Sequence, residues 1–452
     1  MPTAYVNSTV QTTVTDANAY TTAANQSLYL GAAGELLALG DGVGAGLVFA
    51  GVDQLATIHG RIYSDGGNGI NLYGEGSSVV CYGQITAGNA GVRLLQANDV
   101  TVMSGGEIYG DAYGAYLEEA ATNSEILNYG SITGGSYGML VYAAGADIQN
   151  FGTISGVQSQ AIFLLSDSIS VYNAGDIQGG ITSAGELNCS VTNTGLIVGD
   201  VASYGHILVY NSGEITGGVF TADGDDLDVI KNSGVIQGMV GTGLGADRII
   251  NTGSLNYGVV LGDGNDLLDT RFGRVVDTID AGNGDDRVLG GDGADIVVGF
   301  NGADLLKGFG GEDDLSGGEG KDTLAGGLGD DLLTGGRNAD RLVGGDGADT
   351  FTFTSTLDST AGLANRDTIV DFSRAEEDEI DLGLTDANNT LAGNQAFAFI
   401  GTAAFGNVAG QLRYSVVEGN ALLEGDINGD GTADFGVLLL KVTNLEAADF
   451  VL

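Results

Sequence analysis

The sequence predicts an all-β protein: a parallel β-solenoid, in which a β-helix continues into a β-roll, closed by a C-terminal β-rich cap. Two internal repeats and one composition predict it. A nine-residue unit recurs eight times without a slip between Ala281 and Thr352. A looser unit, N-x-G-x-I-x-G, recurs from Gly60 to Tyr257. The chain has 80 Gly and one Pro among 452 residues, yet 43% of its residues are hydrophobic. Such glycine content without period reads as disorder, but here the apolar residues recur at fixed spacing and have a core to occupy.

Residues 1–50 come first and carry no strong period. They read as an N-terminal cap or assembly segment. The stretch from Met1 to Gln26 is polar, with no basic n-region and no apolar h-region. It is not expected to act as a secretory signal peptide, and no apolar run in the chain is long enough to span a membrane.

Residues 51–260 read as a parallel β-helix. The best copies of the repeat are Asn128–Gly134, Asn150–Gly156, Asn173–Gly179, Asn193–Gly199, Asn211–Gly217 and Asn232–Gly238, with weaker copies around Ile62, Ile85, Ile108 and Leu255. The aliphatic positions are 62, 85, 108, 132, 154, 177, 197, 215, 236 and 255. Steps of 18 to 24 residues suit one coil, with the aliphatic stacked inside and asparagine at a corner. Asparagine tolerates the left-handed backbone of a corner and can bond to its own kind above and below. Cys81 and Cys189 fall about five coils apart, or about 24 Å at roughly 4.8 Å per coil, beyond disulfide reach. They read as buried single thiols.

Residues 261–352 read as a β-roll. The nine-residue blocks begin at Ala281, Gly290, Gly299, Gly308, Gly317, Gly326, Gly335 and Gly344. Position six is always aspartate: Asp286, Asp295, Asp304, Asp313, Asp322, Asp331, Asp340 and Asp349. Position eight is always apolar: Val288, Val297, Leu306, Leu315, Leu324, Leu333, Leu342 and Phe351. Forerunners occur at Thr221–Val229, Thr242–Ile250 and Leu261–Asp269, placing Asp226, Asp247 and Asp266 in the same role. The two repeats thus interleave, and one run of about fifteen coils, near 70 Å at roughly 4.8 Å per coil, is expected.

The spacing points to metal chemistry. A glycine-rich turn lets successive carbonyls face inward, because glycine accepts positive φ. Calcium takes six to eight oxygens and tolerates mixed carbonyl and carboxylate ligands. Nine residues make half a coil, so turns two blocks apart stack and their aspartates share a slot. Stacked bare carboxylates repel and are costly in a dry slot, so folding and cation binding are expected to be one event. An isolated G-x-D would be only a solvated acidic edge; eight consecutive copies are not.

The pattern resembles the RTX nonapeptide G-G-x-G-x-D-x-U-x, whose family forms a calcium-loaded parallel β-roll. Beyond Asp349 the order Thr368–Phe372 (TIVDF), Asp378–Leu382 (DEIDL), Ala396–Gly401 (AFAFIG), Gly410–Tyr414 (GQLRY) and Gly425–Phe435 (GDINGDGTADF) closely resembles the C-terminal domain of serralysin-type metallopeptidases. The resemblance covers roughly 281–452. It implies that 353–452 cap the roll and carry an uncleaved signal for type I secretion, with Asp449–Leu452 similar to the family's acidic-then-apolar ending. It also implies multiple bound Ca2+ ions, ligated by the position-six aspartates, turn carbonyls and often the position-three side chains, here Asn283, Asp292, Asn301 and Glu319. Departures predict weak or empty slots: Arg337 and Asn338 in the Gly335 block, Phe309 in the Gly308 block, and Phe300 in the Gly299 block. Asp426, Asn428, Asp430 and Asp434 resemble the start of an EF-hand. Val437 at its twelfth position is not glutamate, so a hydrogen-bonded turn competes with a second type of calcium site.

Charge narrows the partners. The formal charge is −44, from 59 acids and 15 bases, and before Lys231 the only bases are Arg61 and Arg93. Nucleic acid, anionic polysaccharide and anionic membrane are disfavoured. The chain has no H-E-x-x-H; its two histidines, His59 and His206, stand apart. The resemblance therefore transfers export and calcium, and not proteolysis. Adjacent Glu118 and Glu119 alternate faces and suit an edge better than an acid–base pair. The reading is a secreted, non-catalytic calcium-binding solenoid of the cell surface or extracellular matrix, such as an S-layer, filament or adhesin component. It could assemble through its solenoid ends. The alternative is an extracellular polysaccharide-modifying enzyme (lyase, hydrolase or epimerase) using the β-helix groove.

Overall fold

The computed structural model describes residues 3–6, 9–12, 19–22, 26–39, 44–184, 188–222 and 226–452. Among them the only helix is the 3-10 turn Ala447–Asp449, and no helix is long and apolar enough to cross a membrane. The chain divides into two compact units, Met1–Met239 and Val240–Leu452. Each is a parallel β-solenoid.

In the N-terminal unit each coil lays one short strand on each of three sheets. A representative coil runs Glu125–Asn128 on the first sheet, Ser131–Gly134 on the second and Tyr137–Val141 on the third. Each strand pairs in parallel with its equivalents one coil away. Strands of two to five residues alternate inward and outward side chains, so every coil contributes a few aliphatics to the axis. On the second sheet the inward column is Leu36, Ile62, Ile85, Ile108, Ile132, Ile154, Ile177, Ile197, Ile215 and Ile236, in register and essentially inaccessible. This is the column expected from the repeat. Residues ahead of 51, expected as a cap or assembly segment, supply further coils: Thr3–Val6 pairs with Ser27–Leu30, which pairs with Leu55–Ile58.

The asparagines form the predicted ladder on the first sheet. The Asn128 Nδ2 donates to Asn150 Oδ1 at 2.7 Å, and the relay continues through Asn173, Asn193, Asn211 and Asn232 at 2.7–2.8 Å. Each amide is buried; Asn150, Asn173, Asn193 and Asn211 both donate and accept within the column, and Asn128 Oδ1 accepts the Gly130 N–H at 3.1 Å. Cys81 and Cys189 are buried free thiols. Burial pushes the Cys81 thiol up to about 12, which keeps it protonated and unreactive.

In the C-terminal unit the second sheet ends with Ser254–Leu255 paired to Arg274–Val275. From there the coil has two faces. Leu305–Gly310, Thr323–Leu328 and Arg341–Asp346 stack on one, and Ile296–Asn301, Asp314–Glu319, Leu332–Arg337 and Thr350–Thr352 on the other. Partners are 18 residues apart, two nonapeptides per coil. The position-eight residues Val288, Val297, Leu306, Leu315, Leu324, Leu333, Leu342 and Phe351 fill the space between the faces, all at 0% exposure.

Both faces run on into the cap. Asp367–Ile369 continues the first face and pairs with Phe435–Leu439. Phe435–Leu439 is the edge of an antiparallel sheet with Asn420–Asp426 and Gln411–Val417. Glu379–Asp381 continues the other face, and the final strand, Phe450–Val451, pairs onto it. Antiparallel strands and the chain end thus cover edges that a bare parallel stack would leave open. Arg374 grips Asp449, donating from Nε to Oδ1 at 2.6 Å and from Nη2 to Oδ2 at 2.5 Å.

Candidate metal centre

The position-six aspartates stack in two columns, one per face of the roll. In the first, the backbone N–H of Asp247 donates to Asp266 Oδ1, and the pattern repeats through Asp286, Asp304, Asp322, Asp340 and Asp367 at 2.7–2.9 Å. In the second it runs Asp295, Asp313, Asp331, Asp349 and Asp378 at 2.8–3.1 Å. A strand corner at every coil aims the backbone N–H along the stack, and the next aspartate accepts it. That contact uses one carboxylate oxygen.

At the two ends of the second column the other oxygen is also taken: Asp295 Oδ2 accepts the Gly291 N–H at 2.8 Å and Asp378 Oδ2 the Ser373 N–H at 2.7 Å. The Oδ2 atoms of Asp266, Asp286, Asp304, Asp313, Asp322, Asp331, Asp340, Asp349 and Asp367 are buried without a hydrogen-bond partner. In the nonapeptides from Gly299 to Gly344, each Oδ2 lies over the first glycine of its own block. A Cβ built at Gly299, Gly308, Gly317, Gly326, Gly335 or Gly344 would fall 1.8–2.6 Å from it. Glycine at position one is therefore required by the carboxylate.

Burial raises the carboxyl pKa values. It pushes Asp266, Asp286, Asp313, Asp322, Asp340 and Asp349 up to about 7 and Asp367 up to about 9. The donated N–H offsets part of the rise, and carboxylates in the neighbouring coils add to it. Asp295, Asp304, Asp331 and Asp378 are raised for the same first reason.

A buried carboxylate oxygen with no donor destabilises a fold unless a cation meets it. The donor set fits a hard cation: it is oxygen only, with a glycine carbonyl of the next coil beside the carboxylate at Gly299 and Gly317, and no thiol or imidazole. Asp266, Asp286, Asp304, Asp322 and Asp340 would hold it on one column, and Asp313, Asp331 and Asp349 on the other. Among the described residues no three acidic, histidine or cysteine side chains converge on one point. In this architecture each turn supplies only one carboxylate, so the column, and not a cluster, is the unit.

From the Gly299 block onward the turn backbone is uniform; in the Gly290 block neither Gly291 nor Gly293 takes positive φ. Positions two and four take positive φ at Gly318 and Gly320, Gly327 and Gly329, and Gly345 and Gly347. Phe300 (71°), Phe309 (77°) and Asn338 (85°) hold the same left-handed conformation without being glycine. The departures expected to spoil their slots therefore leave the turn geometry in place, and the Oδ2 atoms of Asp304, Asp313 and Asp340 remain unpartnered.

Other expected ligands are placed elsewhere. Asn283, Asp292, Asn301 and Glu319 are exposed. They form an outer polar edge: Asn283 Nδ2 donates to Asp263 at 2.5 Å, Asn301 Nδ2 to Asn283 at 2.6 Å, and Arg337 pairs with Glu319 at 3.0 Å. An extended residue next to the buried corner points its side chain away from it, so position three faces solvent. Asp226 is also exposed. The buried acid in that turn is Asp228, whose Oδ1 accepts the Ile207 N–H at 2.7 Å. Positions 223–225 of that turn lie outside the described residues. The signal was available: Asp228–Asn232 (DVIKN) matches Asp247–Asn251 (DRIIN) 19 residues on, two residues off the frame read from the glycine.

Asp367 and Asp378 were missed because 27 and 29 residues separate them from Asp340 and Asp349, where 18 had been the rule. Their trace is the Asp-x-Ile of Asp367–Ile369 and Asp378–Ile380. The acidic loop after Asp426 is a hydrogen-bonded turn. Asp426 accepts the N–H groups of Gly429 and Gly431, Asp434 accepts that of Ile427, and Asp430 accepts Thr432. Glu118 is paired with Arg93, and Glu119 is exposed.

Residues 229–452 match the family Peptidase M10 serralysin C terminal. Two solved structures from the Azotobacter vinelandii mannuronan C5-epimerase are similar over part of the chain. The AlgE6R3 subunit is 26% identical, over 37% of this chain and 78% of that one, with a TM-score of 0.24. The AlgE6R2 subunit is 28% identical, over 35% of this chain and 88% of that one, with a TM-score of 0.21. No curated protein sequence is matched. The columns, the two-faced coil and the family match together make residues 229–452 a serralysin C-terminal region of the RTX repeat type.

Proposed function

We propose that this chain is a secreted, calcium-binding β-solenoid with a non-catalytic structural role at the cell surface or in the extracellular matrix, of the S-layer, filament or adhesin kind. One observation carries it: nine buried aspartate oxygens without a donor, stacked along two columns. Each is a position that a bound cation would complete. Extracellular calcium modules bind with dissociation constants of roughly 10⁻⁴–10⁻³ M, so such columns would stay empty at cytosolic calcium levels and fill outside. The chain would then leave the cell unfolded through a type I secretion system and fold on arrival. The match to a serralysin C-terminal family supports that route. A structural role agrees with two units built on solenoid coils, and with Glu118 bound up in an ion pair.

The test is purification in chelator followed by titration with calcium. Circular dichroism and sedimentation should report gain of β-signal and compaction in the millimolar range. Electron microscopy of the same samples should show ordered polymers only with calcium. An unchanged spectrum and sedimentation coefficient in chelator would remove the calcium reading. Turnover of a polysaccharide by the calcium-loaded protein would replace the structural role with the enzymatic one.

A further inference from the structure

The two aspartate columns end differently in the cap. On the second face the last aspartate, Asp378, has both oxygens occupied: Oδ1 accepts the Asp349 N–H at 3.1 Å and Oδ2 the Ser373 N–H at 2.7 Å. That column closes with protein donors. On the first face the last aspartate, Asp367, accepts the Asp340 N–H on Oδ1 at 2.9 Å, and its Oδ2 has no partner. Asp367 is fully buried at 0% exposure, and Asp340 beneath it is 2% exposed with its own Oδ2 unpartnered. Beyond Asp367 the acid relay stops. Its N–H donates to the Ser359 hydroxyl at 2.8 Å, which donates in turn to the Gly436 carbonyl at 2.5 Å. A neutral hydroxyl thus takes the place of a further aspartate.

We propose that Asp367, outside the nonapeptide array and inside the cap, is a ligand of a terminal divalent-cation site that it shares with Asp340, and that Asp378 is not a ligand. The proposal rests on the reading that the columns bind calcium. Its consequence concerns the cap. Asp367 opens the strand Asp367–Ile369, on which Phe435–Leu439 pairs, with Asp367 opposite Val437. Phe435–Leu439 in turn carries the antiparallel sheet. A cation at Asp367 therefore fastens the cap to the roll at the point where the repeat has already ended.

The decisive measurement is a crystal structure of the calcium-loaded full chain, with anomalous data collected at long wavelength. A calcium peak beside Asp367 Oδ2, and none beside Asp378, is expected. Peaks along the repeats with none beside Asp367, or with one beside Asp378, overturn the terminal site and leave the repeat sites standing. No peak in either column overturns the calcium reading itself. In solution, Asp367→Asn should lower the calcium stoichiometry by one ion and Asp378→Asn should leave it unchanged. Equal stoichiometry in Asp367→Asn and wild type would contradict the site. If Asp367→Asn does not fold, the anomalous map of the wild-type chain decides alone.

Discussion

The β-helix and the β-roll solve the same problem with residues that differ by one atom. Both run a buried polar column along a strand corner. In the helix the column is asparagine, and the amides complete one another: from Asn128 to Asn232 each Oδ1 after the first takes the Nδ2 of the coil before, at 2.7–2.8 Å. In the roll it is aspartate, where Oδ1 takes a backbone N–H and Oδ2 is left bare. An amide is its own complement, and a carboxylate is not. The asparagine column therefore satisfies itself within the chain, whereas the aspartate columns carry nine buried oxygens that no protein donor meets.

That contrast can be broken or sharpened by experiment. The largest effect should come from metal removal. Hydrogen exchange in chelator should lose protection across residues 286–369 and keep it across 128–236; equal loss in both regions would refute the division. Next is a rung of the amide ladder. Asn173→Ala takes the donor from Asn193 Oδ1 in a buried column, while Asn150 Nδ2 keeps the Gly152 and Asp176 carbonyls. An unmet buried group costs about 1–3 kcal/mol, so the N-terminal transition should weaken by about that much in denaturant melts, with calcium or without.

Asp322→Asn probes the opposite column and should change sign with conditions. In chelator it removes a buried charge and raises Tm; in calcium it removes a ligand and lowers it. Each shift should be about 2–4 °C, which roughly 1 kcal/mol produces in a unit of this size. A shift of the same sign in both buffers would argue against a cation at that oxygen.

Acidity should separate the units in the same way. The folded carboxyls sit at about 7, above the unfolded aspartate near 3.9, so the folded roll binds more protons than the unfolded chain. Without metal its stability is fully present at low pH and is lost as pH rises from about 4 through about 7. With calcium the trend inverts, because protons and cations compete for the same oxygens. Tm measured from pH 5 to 8 in both buffers should cross. The smallest effect is backbone strain. Phe300→Gly or Phe309→Gly relieves a side chain held at positive φ and should stabilise the calcium-loaded roll by about 1 kcal/mol in melts.

Much of the fold was legible because a solenoid writes its contacts as a period. Ile85 meets Ile62 and Ile108 because each follows its corner by the same count, and Leu306 meets Leu324 for the same reason. What broke the period was harder to read. Asp226 was taken from the glycine frame, and Asp228, two residues on, is the buried acid. Asp367 and Asp378 stand behind insertions that no count of nine crosses. Position three is a different case. Asn283, Asn301 and Glu319 have the right chemistry for ligands, but strand alternation points them outward.

By itself the sequence determined the parallel stack, the aliphatic and asparagine columns, and which face of each turn carries aspartate, because these depend on residue type and nearest-coil spacing. Only the tertiary structure decided which carboxylate oxygen is met and which is bare. That depends on where the backbone N–H of the neighbouring coil points, and on whether a donor such as the Ser373 N–H in the cap reaches the last carboxylate.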